Sequence, residues 1–407
     1  MSTDALPNGG RTAGFFAGIG GLELGFEDAG FETSMLCEFM PEAQLVLEHR
    51  FPHADLYGDI RELAADPSFR IPHDTDVVTA GFPCQDLSPA GRMQGIKGQK
   101  SSIVKALFHL LERRKRNRPN WLVIENVPFM LQLDRGKAMN FVTKQIEALG
   151  YTWAYRIVDT RAFGLPHRRR RVIIVASLNN DPCRVLFADN EEPIDRQRGA
   201  STWCGFYWTE GNRGLGWTID GVPTLKAGST IGIPSAPAMY RPRDGAFLTP
   251  AIEHAEALQG FEPDWTAVVD RLHGFRPSMR WKLVGNAVSI PVSRWVANRI
   301  KRPGKPMVTL DSKPLPSSSK WPKAGYGHNG IRYGVECTEF PELQPYTPLR
   351  KLIRNSSAKP KPLSARASRG ILSRLHRSSL RTDHDLLPAL EQWVEQYQPD
   401  KLSGVTG

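Results

Sequence analysis

Cys84 stands in the run Thr79-Ala80-Gly81-Phe82-Pro83-Cys84-Gln85-Asp86-Leu87-Ser88-Pro89-Ala90-Gly91. The Asp76-Val77-Val78-Thr79-Ala80 stretch reads as a short buried strand, and the glycines, prolines and Ser88 that follow read as loop. Pro83 fixes its own φ and keeps Phe82 extended, so the cysteine is set at a defined point beyond the strand's carboxyl end. Open α/β sheets carry their chemistry there. A free thiol has a pKa near ~8.5, and its thiolate is strongly nucleophilic. The alternative is a buried cysteine acting as a small hydrophobe.

Other reactive side chains fall at similar places. Trp121-Leu122-Val123-Ile124 delivers Glu125 beside Asn126 and ahead of Pro128, a position suited to a general acid. His167-Arg168-Arg169-Arg170-Arg171 feeds directly into the apolar Val172-Ile173-Ile174-Val175-Ala176, and strand alternation puts Arg169 and Arg171 on one face. Arg113-Arg114-Lys115-Arg116-Asn117-Arg118 closes an expected helix over 103–112 and reads as a solvated terminus favoured by the dipole, with phosphate contact as the alternative.

The elements that position these groups begin near the N-terminus. Thr12-Ala13-Gly14-Phe15-Phe16-Ala17 is a strand that turns at Gly18-Ile19-Gly20-Gly21 into a helix, an arrangement that lets the backbone approach a nucleotide-like ligand. Glu38 ends the next apolar segment, twenty residues past Gly18, a separation suited to ribose hydroxyls. Asp59, at a third strand end, is a candidate acceptor for an adenine amino group. Each acid alone also reads as a solvated surface charge; together with the glycine turn they predict an adenosyl ligand.

With 407 residues, 40% hydrophobic and 23% charged, the chain has room for two or three domains. The first ten residues lack a basic segment followed by an apolar one, and no stretch is apolar for long enough to span a bilayer, so a cytoplasmic location is expected. Five scattered cysteines without a C-x-x-C pair imply reduced thiols and no metal site. Of the net charge of +11, ten Lys and Arg lie between 350 and 381 with no acid among them, leaving 11 − 10 = +1 elsewhere.

The strand–helix alternation stops near 179, where Gly, Pro and aromatic residues rise, so a second, loop-rich domain is expected over 179–278, with 11–178 as the first. Thr249 and Pro250 are expected to open a helix. Another helix is expected from Leu283 to Ile300, in a segment, 279–302, that returns to the first domain. Residues 303–407 read as linker, basic segment and a docking helix containing Leu386, Leu390, Trp393, Val394 and Tyr397, with the basic stretch too poor in apolar residues to fold alone.

Taken in order, Phe16-Ala17-Gly18-Ile19-Gly20-Gly21, Gly81-Phe82-Pro83-Cys84-Gln85, Glu125-Asn126-Val127, Arg169-x-Arg171 and Gly285-Asn286-Ala287-Val288 resemble the DNA (cytosine-5)-methyltransferases. The resemblance runs from about Arg11 to Ile300. It implies an α/β fold with a mostly parallel Rossmann-like methyltransferase sheet, a smaller target recognition domain, and S-adenosylmethionine as cofactor. It also implies roles. Cys84 would add to C6 of cytosine, Glu125 would serve N3, and Asn126, Arg169 and Arg171 would position the pocket. Phe16, Gly18, Gly20, Glu38, Asp59, Asn286 and Val288 would surround the cofactor, while Thr224, Leu225, Gln85 and Ser88 would meet DNA. The partner is then duplex DNA with its target base flipped out, and residues 91–102 are the natural lid. A separately encoded restriction endonuclease is a further expected partner, and oligomeric state stays open.

Two positions depart from the family pattern. His167 stands where Gln commonly precedes the arginines, which bears on a DNA contact, and Ala246 stands where Arg usually precedes Leu248-Thr249, which bears on a hinge. The rival readings are a tRNA cytosine-5 methyltransferase and a catalytically silent DNA-binding regulator.

Overall fold

The computed structural model describes residues 9–83, 102–210, 214–227, 236–310, 313–316, 318–380 and 385–396. Two compact units divide the chain. Unit 1 is Met1–Phe163, Arg170–Pro193 and Ala287–Gln344, and unit 2 is Gly164–Arg169, Ile194–Asn286 and Pro345–Gly407. Among the described residues no helix is long and apolar enough to cross a membrane.

Strand and helix alternate through β1 (Arg11–Phe15), α1 (Gly21–Asp28), β2 (Glu32–Cys37), α2 (Pro41–Arg50), β3 (Asp55–Tyr57), α3 (Ile60–Ala65) and β4 (Thr75–Ala80). Next come α4 (Ser102–Arg113), β5 (Trp121–Asn126), α5 (Lys137–Ala148), β6 (Thr152–Asp159), β7 (His167–Arg168), β8 (Arg170–Ser177) and α6 (Cys183–Leu186). The middle of the chain holds β9 (Cys204–Phe206), β10 (Thr218–Ile219), β11 (Val222–Pro223), β12 (Ala238–Arg241), β13 (Ala246–Thr249), α7 (Ile252–Gln259), α8 (Pro277–Asn286) and α9 (Ile290–Lys301). The last elements are β14 (Ala324–His328), β15 (Ile331–Gly334), α10 (Leu349–Asn355), β16 (Lys361–Pro362), α11 (Ala365–His376) and α12 (Leu386–Gln396).

Unit 1 is built on a nine-stranded sheet in the order β15-β14-β6-β8-β5-β4-β1-β2-β3. The block β3-β2-β1-β4-β5 is parallel, and β8, β6, β14 and β15 extend it antiparallel. Both faces are buried: α4 and α5 pack with Val78, Ile124 and Tyr155 on one side, and α1, α6 and α9 with Val77, Val123 and Val175 on the other. Continuous apolar strands such as Trp121-Leu122-Val123-Ile124 follow from that double burial. The order reverses between β1 and β4, so their carboxyl ends flank the crevice where such sheets bind ligands.

The expected linker departs from the sequence reading. Residues 303–344 complete unit 1, where β14 and β15 form a hairpin on β6, turned by Asn329 (φ 52°) and Gly330 (φ 76°). An Asn-Gly pair is the turn that the right-handed strand twist favours. Arg156, fully buried on β6, ties down the segment after the hairpin. Its guanidinium donates to the carbonyls of Thr338, Leu186 and Asp189 at 2.7 to 3.0 Å and to Asn190 Oδ1 at 2.8 Å.

Unit 2 contains an antiparallel sheet, β10-β9-β12-β13-β16, and a parallel pair, β11-β7. The aromatic residues that mark this region form its core: Phe206, Trp217, Tyr240 and Phe247 succeed one another at ring distances of 5.1 to 6.4 Å, and Trp393 of α12 caps Phe247 at 6.0 Å. Leu386, Leu390 and Trp393 are the buried side of α12, as expected, while Val394 is half-buried and Tyr397 lies outside the described residues. The basic stretch is folded over its described residues, 350–380, because β16 pairs with β13 and Leu349, Ile353, Leu363, Ile371 and Leu375 are buried. It borrows a core from the sheet it joins.

Two helix boundaries also move. Thr249 ends a strand and Ala251 occupies the N-cap of α7, its N–H donating to His254 Nδ1 at 2.9 Å. The helix expected from Leu283 to Ile300 is two helices, since Ser289 is extended (φ −73°, ψ 123°) and Pro291 fits only a first turn.

Candidate active site

At the carboxyl end of β1, Phe16 takes a left-handed conformation (φ 55°), as do Gly18 (φ 59°) and Gly20 (φ 82°). Gly20 is obligatory, because a β-carbon there would stand 2.2 Å from the Phe51 ring. Gly18 is different: a β-carbon on it would meet nothing within 4 Å, so the turn borders open space. Glu38, at the end of β2, holds this turn. Its Oε2 accepts from Gly18 N and its Oε1 from Met40 N, both at 2.8 Å. Asp59 caps α3 by accepting from Arg61 N at 2.8 Å, and its hydrogen bonds with the Arg61 side chain hold its pKa below the ordinary carboxylate range.

The third group of side chains sits at the ends of β4 and β5. Glu125 is buried, with Oε1 2.6 Å from Nε of Arg171. Asn126 donates from Nδ2 to the Phe82 carbonyl at 2.9 Å and accepts from Val127 N at 2.9 Å, so it fixes the peptide that precedes Pro83. A β-carbon placed on Gly81 would stand 3.6 Å from Phe16 O and 3.9 Å from Glu125 Oε2. The turn leading toward Cys84 therefore passes between the ligand loop and Glu125. Cys84, Gln85, Ser88 and most of the lid segment, 91–102, lie outside the described residues.

In unit 2, Thr224 and Leu225 are anchored to the strand that carries the arginine run. Thr224 Oγ1 donates to Arg168 O at 2.8 Å, Leu225 N donates to His167 Nε2 at 3.0 Å, and Arg169 Nη1 donates to Leu225 O at 3.3 Å and Gly285 O at 3.2 Å. His167 Nδ1 pairs with Leu258 O at 3.1 Å, so its ring is a buried neutral link with the proton on Nδ1, assigned from its partners. His167 is thus buried against Leu225 and Leu258 rather than exposed. Arg169 and Arg171 do not share a strand face either. Arg169 N donates to His167 O at 2.9 Å between β7 and β8, and Arg169 belongs to unit 2 whereas Arg171 belongs to unit 1. Asn286, at the end of α8, is exposed in unit 2, and Val288 is buried in unit 1. Ala246, the second departure, is a buried residue of β13.

Arginines 113, 114 and 118 are not simply solvated. Arg113 donates to the carbonyls of Asp66 and Ala64 at 2.7 Å, Arg114 to His73 O at 2.9 Å and Arg118 to Leu149 O at 3.2 Å, closing neighbouring elements.

A profile of the C-5 cytosine-specific DNA methylases matches residues 10–201. The chain is 42% identical over 374 residues to Type II methyltransferase M2.BsuMI of Bacillus subtilis, covering 90% of this chain and 93% of that protein. The chain belongs to the C-5 cytosine-specific DNA methylases. Over 46% of this chain and 55% of the other it is 36% identical to M.NgoBI of Neisseria gonorrhoeae. In fold it is similar to the crystal structure of the Dnmt2 methyltransferase of S. pombe, with a TM-score of 0.53 at 17% identity, covering 72% of this chain and 98% of that one. The methylase transfers a methyl group from S-adenosylmethionine to C5 of cytosine in DNA. Its ligand loop fits an adenosyl group, with open space at Gly18 and two carboxylates, Glu38 and Asp59, at the adjoining strand ends.

Sequence reasoning missed one polar group here. Glu23, fully buried on α1, accepts from Thr79 Oγ1 at 2.7 Å and packs against Gly14, and burial raises its pKa to about 7. Only its place between glycine-turn residues and an apolar run could have marked it.

Proposed function

We propose that Cys84 is the nucleophile that adds to C6 of a cytosine turned out of duplex DNA, and that Glu125 serves N3 of the same base. The observation that carries this reading is the buried Glu125–Arg171 pair at 2.6 Å beside a turn whose Phe82 carbonyl is held by Asn126. C5 of cytosine is a poor nucleophile. Forming the S–C6 bond pushes charge toward N3, where Glu125 gives up its proton, while Arg171 orients the carboxyl and stabilises the carboxylate that remains. C5 thereby gains enamine character. S-adenosylmethionine supplies the electrophilic methyl group. The C5 proton then leaves to solvent as the S–C6 bond breaks and returns the thiolate, and the N3 proton goes back to Glu125.

Glu38 is assigned to the ribose hydroxyls and Asp59 to the adenine amino group, with Phe16, Gly18 and Gly20 lining the ligand and Asn286 and Val288 closing the site. Asn126 is a positioning residue, and Arg169 orients Leu225. Thr224 and Leu225 mark where sequence is read, with Gln85 and Ser88 contacting DNA beside the flipped base. The enzyme acts in the cytoplasm, and the Type II designation of its relatives supports a separately encoded restriction endonuclease as its partner. The test is Cys84→Ala together with duplex DNA carrying 5-fluorocytosine. Wild type should be trapped covalently and the alanine variant should neither trap nor methylate while still binding DNA. Appreciable turnover by that variant overturns the assignment.

A further inference from the structure

Helix α11 gives shape to part of the basic stretch. Ala367, Ser368, Ile371 and Leu375 are buried on one side of it. Arg366 and Arg369 come round on the other side at helical spacing, Arg377 follows at the C-cap, and all three are exposed. Among the described residues none of the three pairs with a carboxylate. Arg377 instead donates back to Ser373 O and Oγ at 3.1 and 3.0 Å. At the margin of the strip Arg374 donates to the carbonyls of Trp208 and Glu210. Neighbouring Tyr207 donates from Oη to Thr224 O at 2.9 Å. Helix α11 is thus tied, within unit 2, to the segment that holds the Thr224–Leu225 pair. Burial and the adjacent positive charge of Arg377 both lower the pKa of Arg374.

We propose that the outward face of α11 is a contact surface for the DNA backbone, on which Arg366, Arg369 and Arg377 each engage phosphate without reading bases. The inference rests on the reading of Thr224 and Leu225 as the DNA-facing pair. An exposed guanidinium with no carboxylate partner offers a planar fork of donors that matches phosphate oxygens. Arg171, Arg161 and Arg280, by contrast, all face carboxylates. An acidic protein would satisfy the same charge, but the link from α11 through residues 207–210 to Thr224 favours a ligand that reaches both places, as a duplex does.

The test uses the full chain with Arg366, Arg369 and Arg377 replaced by Gln, and measures affinity for duplexes with and without the methylated sequence across a range of salt concentrations. Each phosphate neutralised contributes ~0.9 to the slope of log affinity against log salt. The slope should flatten by up to about 2.7 on both duplexes, while the methylated sequence stays the same. Lysine at the three positions should keep the slope, and Arg369→Gln alone should flatten it by about 0.9. An unchanged slope overturns the proposal, as does an equal flattening on replacing Lys105, Lys137 and Lys144 of unit 1 by Gln, which would reduce the effect to net charge. Altered sequence choice in the triple variant would overturn it too, since the strip would then read bases. Failure of wild type to bind duplex DNA would instead remove the reading of Thr224 and Leu225.

Discussion

At the carboxyl ends of the unit 1 strands the charged groups answer one another. Arg171 faces Glu125, Glu38 binds two backbone N–H groups, and Asp59 is held by Arg61. On the outer face of α11 in unit 2, Arg366 and Arg369 are exposed and face no carboxylate among the described residues. The first arrangement fixes atoms for chemistry, because a buried charge is tolerated only with its partners in place. The second costs nothing to leave open to water and suits a diffuse, exchangeable anion such as a phosphate chain. One chain therefore separates the precision its reaction needs from the attraction its substrate needs.

The largest effect should come from breaking an answered pair. Glu125→Gln keeps the shape and removes the proton that N3 needs, so the single-turnover methylation rate should fall by roughly 10²- to 10⁴-fold. Cofactor affinity and the salt slope of DNA binding should hardly change, the signature of an interaction made in the transition state. A variant that methylates at the wild-type rate would remove Glu125 from the chemistry.

Glu23 departs from that arrangement, for its Oε2 is buried without a hydrogen-bond partner. Its pKa lies at about 7 in the folded protein because burial disfavours the charge. The folded state then binds the proton more tightly than the unfolded chain. Stability contributed by this group is complete below the unfolded pKa of ~4.5 and is lost as pH rises through about 7, a swing on the order of 3 kcal/mol. Urea unfolding should report that loss for wild type, and Glu23→Gln should lack it. Identical pH profiles for the two proteins would show that Glu23 ionises freely when folded.

Some of this was open to reading in the chain and some was not. The glycine turn, Glu38 and Glu125 were legible, because local patterns alone set a strand, its turn and the residue at its end. The pairing of Arg169 with Arg171 was misread, since strand periodicity was carried across a turn that the hydrogen bond from Arg169 N to His167 O creates. Asn329-Gly330 is a strong hairpin signal, hidden by the Pro-, Lys- and Ser-rich residues before it. The folding of the basic stretch was not legible, because Lys361 and Pro362 find their strand partners more than a hundred residues earlier, at Thr249 and Leu248. Composition says whether a segment can fold alone and nothing of what it folds against.

Glu38 sharpens the comparison at lower cost. A glutamine there can accept from only one of Gly18 N and Met40 N, and its NH₂ would face the other donor. Losing a hydrogen bond to a charged group costs about 1.5 to 3 kcal/mol, so S-adenosylmethionine affinity measured by calorimetry should fall by roughly 10- to 100-fold. The rate at saturating cofactor should change little. An unaltered affinity would mean that the turn does not depend on the carboxylate.

The smallest effect separates the two modes of DNA contact within unit 2. His167 accepts from Leu225 N and donates to Leu258 O, so it holds Leu225 without reaching solvent. His167→Gln retains one donor and one acceptor and restores the residue the family commonly carries here, whereas His167→Phe fills the space and retains neither. Leaving a buried N–H and a buried carbonyl unanswered costs about 1 to 3 kcal/mol, spent on the register of Leu225. The phenylalanine variant should therefore melt earlier and methylate near-cognate sites more readily relative to its own sequence, by at most about one order of magnitude, roughly what 1.4 kcal/mol provides. Its salt slope should match wild type. The triple glutamine variant of α11 should behave in the opposite way, with a flattened slope and intact discrimination. If His167→Phe flattened the slope, or discriminated as well as the glutamine variant, anchoring of Leu225 and phosphate contact by α11 would not be the separate functions argued for them.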